Sequence, residues 1–396
     1  MKPTFHRLIF WGHLIAGLVA GVVILSMAVT GLMISYEAQL LDWANLDLRV
    51  TPPATGTAHL DIESLLAKVH ETKPDLNPSG ITWKADPAMP VTLSVGKEGV
   101  FFANPYTGEF LGEGNRPWHD FFHATTDWHR FLTGTGLPKE VGKAITGAAC
   151  LVFSLLLLSG LYLWFPRQWR WTNVRAVILF NPQLRDRARN WNWHNVFGFW
   201  SALPLLCIIL TGLIMSYGWA NNLLFTLTGS EPPPPRERPA DGGQRKTRGS
   251  RENGPAGPLP SLTGVEPLLA QARQKIPDWA SLSLRMPLKP GEAFPLMVDR
   301  GGRGQVHLRS MLNLDVAQGK LLPSPDDLLQ QNLGRRLRLY ARFLHTGELF
   351  GLIGQTVAAL SALAAIMLVW TGFALAWRRF FPRRDHTVPT PRNGTS

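Results

Sequence analysis

The chain has 396 residues, room for two or three ordinary domains, and its 40 Lys and Arg against 28 Asp and Glu leave a net charge of +12. Much of that excess lies beside long apolar runs, where cations fix membrane topology, so nucleic acid is not an expected partner. The two cysteines, Cys150 and Cys207, both sit inside apolar runs and argue against a disulfide scaffold or a thiolate metal site.

In chain order, apolar runs of about 20 residues or more, enough to cross a hydrocarbon core of about 30 Å as helix, occur at residues 14–34, 144–164, 196–217 and 352–377. The first resembles a signal peptide, with Lys2 and Arg7 ahead of it, but its apolar stretch is too long. Ser35-Tyr36-Glu37 also offers no small-residue cleavage site, so a retained anchor is expected. The Arg-rich loop from Arg167 to Arg189 and the cations Arg378, Arg379, Arg383 and Arg384 fall on the same side as Lys2 and Arg7. By the positive-inside rule that side is cytoplasmic.

The expected organisation follows. Transmembrane segments occupy 1–36, 141–165, 194–217 and 346–377, with a cytoplasmic loop at 166–193 and a cytoplasmic tail at 378–396. Periplasmic units occupy 37–140 and 261–345. The first carries a helix at 62–71 and strands at Gly80–Lys84, Val91–Val95 and Gly99–Ala103. The second carries a helix at Val265–Lys275 and strands at 281–286, 294–298 and 305–311. Residues 218–260, rich in Pro, Gly and Arg from 230 on, read as a disordered linker. The predicted fold class is membrane α-helical: four transmembrane helices from a duplicated two-helix unit, with two small periplasmic α+β domains.

The duplication is written in the residues. His13-Leu-Ile-Ala-Gly17 precedes Thr30-Gly31-Leu32-Met33-Ile34-Ser35-Tyr36, and His194-Asn-Val-Phe-Gly198 precedes Thr211-Gly212-Leu213-Ile214-Met215-Ser216-Tyr217 at identical spacings. The second and fourth runs correspond through Ser159-Gly160-Leu161 with Trp164 and Thr371-Gly372-Phe373 with Trp377. Both copies enter from one side, so a pseudo-twofold axis along the membrane normal is expected.

These motifs, together with the turn Asn104-Pro105-Tyr106-Thr107-Gly108-Glu109 in the first exported unit, resemble the PepSY-associated transmembrane family. The corresponding turn of the second unit, Asp315-Val316-Ala317-Gln318-Gly319-Lys320, lacks the Pro-Tyr-Thr. Members of that family include bacterial inner-membrane ferric-siderophore reductases of the FoxB type with two b-type haems. The resemblance implies two PepSY-like periplasmic domains and a ferric siderophore as the periplasmic acceptor.

A histidine at membrane depth is costly and needs a reason. His13 and His194 stand near the start of the first and third helices at equivalent positions, and a twofold axis would bring them face to face as axial ligands of one haem iron. Gly17 and Gly198, four residues on, would let a flat macrocycle approach the backbone. Gly17 with Gly21 also reads as a helix-packing pair.

On the other side, His129 and His345 precede the second and fourth helices and form the expected pair for a second haem, with His123 or His119 as alternatives to His129. Here the spacing differs: His129 lies 31 residues before Gly160 and His345 27 before Gly372. The extra residues would be the loop Gly134–Pro138. Arg335, Arg338 and Arg342, with Arg336, lie on the side topology disfavours. They would serve haem propionates, or else form a solvated or lipid-headgroup patch. Thr30-Gly31 and Thr211-Gly212 read as close-packing positions.

No Gly-x-Gly-x-x-Gly, phosphate loop or His-Glu-x-x-His is present, so no flavin or NAD fold is expected. The electron donor would be a quinol or a separate reductase. The expected function is a di-haem b electron-transfer protein of the inner membrane that reduces a periplasmic ferric siderophore. A haemless siderophore-uptake permease and a PepSY-type sensor or regulator are the alternatives.

Overall fold

A computed structural model describes residues 3–53, 57–96, 99–166, 168–232, 261–287 and 291–381. Most of the linker, the end of the C-terminal tail with Arg383 and Arg384, and the single cations Lys2 and Arg167 lie outside the described residues. The chain divides into two compact units. The first takes the described residues of Met1–Leu32, Trp128–Leu210 and Val357–Ser396, and the second Met33–Asp127 and Thr211–Thr356.

The elements in chain order begin with α1 (Pro3–Ile34), α2 (Glu37–Ala44) and α3 (Ile62–Thr72). Four strands follow, β1 (Gly80–Lys84), β2 (Val91–Val95), β3 (Gly99–Ala103) and β4 (Phe110–Glu113). Next come α4 (Arg116–Phe131), α5 (Lys139–Trp164), α6 (Trp171–Ile178), α7 (Asp186–Ser216), α8 (Gly218–Leu227) and α9 (Val265–Lys275). The chain continues through β5 (Ser281–Arg285), β6 (Phe294–Asp299), β7 (Arg309–Asp315) and β8 (Lys320–Pro323) to α10 (Leu333–His345) and α11 (Gly351–Phe380).

Four helices are long and apolar enough to cross a membrane: Thr4–Ile34, Lys139–Trp164, Asp186–Ser216 and Glu348–Phe380. A 31-residue helix such as α7 rises about 46 Å, half as long again as the hydrocarbon core. Apolar windows alone understate these helices, because their polar first turns are helical too. His13 is therefore ten residues inside α1 and His194 eight inside α7, not at their starts. Much of the helical surface is apolar and exposed, including Leu8, Val19, Leu155, Leu203 and Ile353, as lipid contact requires.

The second unit holds one sheet of eight strands in the order β4-β3-β2-β1-β5-β6-β7-β8, every neighbour antiparallel. The two halves, expected as separate domains of three strands each, contribute four strands apiece to this one sheet and join edge to edge. β1 pairs β5 in the register Gly80↔Arg285, Thr82↔Ser283, Lys84↔Ser281. That register is symmetric about Thr82 and Ser283, whose hydroxyls bond at 2.9 Å, so the pseudo-twofold of the duplication passes through the seam.

Alternation places Ile81, Trp83, Leu93, Leu282, Leu284, Leu296 and Leu314 on one face, all nearly or fully buried beneath α3 and α9. Each such side chain contributes about 1.5–3 kcal/mol. α3 starts at Asp61, whose carboxylate accepts from the Ser64 amide at 2.8 Å. That bond, with a second from the Ser64 hydroxyl at 2.7 Å, holds the Asp61 carboxyl below its ordinary range. β4, β8, α2, α4, α6, α8 and α10 were not foreseen; α8 makes helical the first ten residues of the stretch from 218 expected as a disordered linker, and β7 runs from Arg309 because Val306–Leu308 forms a 3-10 turn.

The unequal His spacing has a local cause. A Cβ on Gly142 would lie 1.7 Å from the Phe131 carbonyl oxygen, and one on Gly354 2.2 Å from that of Gly347. Both carbonyls are two residues past a histidine, and both glycines are eighteen before Gly160 or Gly372. The four extra residues of the first copy are thus confined to the stretch between Phe131 and Gly142, which contains the Gly134–Pro138 loop.

Candidate functional site

His13 and His194, inside spanning helices, and His129 and His345, just ahead of the other two, are all anchored by the same small device. His13 Nδ1 lies 2.9 Å from Ser159 Oγ, and a Cβ built on Gly160 would meet its Cε1 at 3.3 Å. His194 stands likewise on Thr371 at 2.9 Å and Gly372 at 3.5 Å. His129 is seated on Thr30 at 3.0 Å and Gly31 at 3.3 Å. In the second unit His345 sits on Gly212 at 3.1 Å, with Thr211 Oγ1 a longer 3.4 Å from Nδ1. The hydroxyl orients the ring, and the glycine beside it gives the ring a ledge that a side chain would occupy.

The hydroxyls also set the tautomer. Ser159 Oγ donates to its own helix's Leu155 carbonyl at 2.7 Å, Thr30 to Ser26 at 2.8 Å and Thr371 to Met367 at 2.6 Å. A hydroxyl has one proton, so with that proton committed it accepts from the ring, and Nδ1 carries the imidazole hydrogen. Nε2 of His13, His129 and His194 is then the nitrogen with a lone pair, the form that ligates metal.

His13 and His194 come together. Their ring centres are 6.4 Å apart and their planes stand at 85°. An imidazole nitrogen bonds a transition metal at about 2 Å and lies about 1 Å from its ring centre, so two rings sharing one metal stand about 6 Å apart. The observed separation is close to that value.

Gly17 and Gly198 are not demanded by helix packing, since a Cβ there would meet only Leu156 at 3.9 Å and Leu368 at 3.6 Å. Gly21 is different: a Cβ would sit 2.7 Å from Phe373, so close packing belongs to Gly21 and not to Gly17. His119 and His123 lie exposed on α4, whereas His129, on the same helix, takes the Thr30-Gly31 seat.

His129 belongs to the first unit and His345 to the second. On α10, Arg338 and Arg342 lie seven and three residues before His345, on its helix face. Arg338 Nη1 donates to Asn221 Oδ1 at 2.5 Å and to the Ile214 carbonyl at 3.4 Å, one turn past Thr211 on α7. Arg342 is exposed, its guanidinium 5.5 Å from the Phe343 ring centre, and Arg335 is exposed at the start of the helix.

With this geometry in hand, the sequence model of the PepSY-associated TM region matches residues 10–379. The chain belongs to the PepSY-associated transmembrane family. A search of curated proteins finds no match. The family match runs from the first spanning helix to the last and takes in all four histidine seats. What sequence reasoning missed in this family member is the role of its Ser/Thr-Gly dipeptides. The four at 30, 159, 211 and 371 each seat one histidine, and their matched positions in the duplication were the available signal.

Proposed function

We propose that this PepSY-associated transmembrane protein is a di-haem b electron-transfer protein of a bacterial inner membrane. It would reduce a periplasmic ferric siderophore and so release ferrous iron. The observation that carries the reading is the fourfold histidine seat, above all the His13–His194 pair, whose ring centres lie 6.4 Å apart. Two imidazoles do not close a bare-ion site, which takes three or four protein ligands. They complement a metal whose other positions belong to a macrocycle. Among the described residues no three or more His, Cys, Asp and Glu converge as a bare-ion site would need.

On this reading His13 and His194 hold one haem towards the cytoplasm, with Gly17 and Gly198 leaving room along its face. His129 and His345 hold the other towards the periplasm. Arg338 and Arg342, with Arg335 further along α10, supply cations for its propionates. Bound there, haem supplies a one-electron iron couple inside the bilayer. The chain's residues fix the ligand tautomers, exclude water with Leu156 and Leu368, and keep the conducting centres at set depths. A quinol or a separate reductase supplies electrons on the cytoplasmic side, and each ferric centre takes one.

The purified protein should show a Soret band that shifts on reduction, and pyridine haemochrome should give two haems b per chain. His13→Ala and His194→Ala should each lower that count to one. Reduced protein mixed anaerobically with a ferric siderophore and a ferrous chelator should reoxidise as ferrous iron appears. A haemless permease or sensor would show no Soret band, and that result ends the proposal.

A further inference from the structure

The two rings of the His13–His194 pair are nearly perpendicular, at 85°, and each is locked by a hydroxyl from a different helix, Ser159 of α5 and Thr371 of α11. We propose that Ser159 and Thr371 are positioning residues that hold the two imidazole planes crossed, and that this crossing tunes the electronic state of the iron between them. The inference rests on the haem reading above. It concerns residues that do not ligate.

Each ring is constrained three ways. Its Cα is fixed well inside a long helix, its Nδ1–H is bonded to a hydroxyl whose own proton is held by the i−4 carbonyl, and its Cε1 edge rests on Gly160 or Gly372. Rotation about the ring axis breaks the hydrogen bond and drives the ring edge off its ledge. The Ser159 and Thr371 clamps are equivalents in the duplication, so the two planes are related by the pseudo-twofold and not set at random.

The consequence follows from ligand-field geometry. The π orbital of an imidazole stands perpendicular to its plane and mixes with the iron d orbital lying in that direction. Parallel rings mix with the same d orbital and split the pair. Crossed rings mix with one each and leave the two nearly equal in energy. Ferric iron with crossed ligands then keeps a large orbital moment and gives a highly anisotropic low-spin resonance. Parallel planes give the compact rhombic signal. Orientation of axial ligands by outer partners is a recognised lever on a metal's electronics.

The test uses full-length protein carrying His345→Ala, which leaves this haem alone, and reads low-temperature electron paramagnetic resonance with a potentiometric titration. The parent should show the highly anisotropic signal. Ser159→Ala should move intensity to a rhombic signal and shift the midpoint potential, with haem affinity lowered by roughly ten- to hundredfold. Ser159→Thr, which keeps the hydroxyl, should restore the parent spectrum and potential. A rhombic signal in the parent overturns the proposal while leaving the haem reading intact. An unchanged signal and potential in both Ser159→Ala and Thr371→Ala overturns it too. A protein without haem would instead sink the underlying function.

Discussion

The spanning helices and the eight-stranded sheet carry the same duplication in opposite ways. In the sheet the copies have drifted apart: the turn Asn104-Pro105-Tyr106-Thr107 answers to Asp315-Val316-Ala317-Gln318, and the N-cap Asp61 of α3 answers to the left-handed Gly264 ahead of α9. In the helices the chemistry-bearing positions match one for one, His13 with His194, Ser159-Gly160 with Thr371-Gly372, Thr30-Gly31 with Thr211-Gly212. Backbone pairing explains the freedom of the first. A β ladder is built from main-chain groups, and any alternating apolar set that fills the space under α3 and α9 suffices. The helices have no such slack, because each polar side chain there needs one partner at one distance.

That contrast is open to attack, and the largest effect is expected in the helices. Gly160→Val puts a branched side chain where even a Cβ would stand 3.3 Å from the His13 ring. It should displace that ring and remove one of two haems by pyridine haemochrome. Thermal unfolding of the sheet should be unaffected, and a parallel loss of sheet stability would blur the contrast drawn here.

A sheet substitution should behave the other way round. Leu296→Ala empties a fully buried position and should cost about 2–5 kcal/mol of stability, read by denaturant unfolding. Haem content and spectrum in protein that remains folded should be those of the parent. The smallest effect is expected at Asp61→Ala, which removes a helix cap for about 1 kcal/mol. Because the Asp61 carboxyl is held below its ordinary range, the native state favours its ionised form. Its contribution is whole above the unfolded carboxylate range and lost as pH falls through the lowered folded value. Wild type and variant should therefore converge in stability in acid. A gap that persists undiminished at low pH would assign the effect to something other than the charge.

The spans and the pairing of His13 with His194 were legible because a hydrocarbon crossing needs a long apolar run and because spacing survives duplication. The partners of those rings were visible as dipeptides but not as partners. A Ser-Gly or Thr-Gly in a helix also fits close packing, and only the ring above Gly160, Gly372, Gly31 and Gly212 tells the two apart. α4 and α10 escaped because their aromatic and basic faces interrupt any apolar window. β8, with four residues, is too short to show alternation. The fusion through β1 and β5 left no mark at all, since pairing between strands about 200 residues apart is a tertiary choice.

The seam at Thr82 and Ser283 also has a meaning in time. These residues are 201 positions apart in sequence. At a synthesis rate of about 5–20 residues per second, β1 is made some 10–40 s before the strand that pairs with it. Throughout that interval it is an open sheet edge, the kind of surface that recruits a neighbouring chain. Lys84, on this strand and bonded to Asp42 of α2 at 3.0 Å, puts a charge at that edge. The first half of the sheet must therefore stay soluble as a half, waiting on two more passages of the chain through the bilayer before its partner arrives.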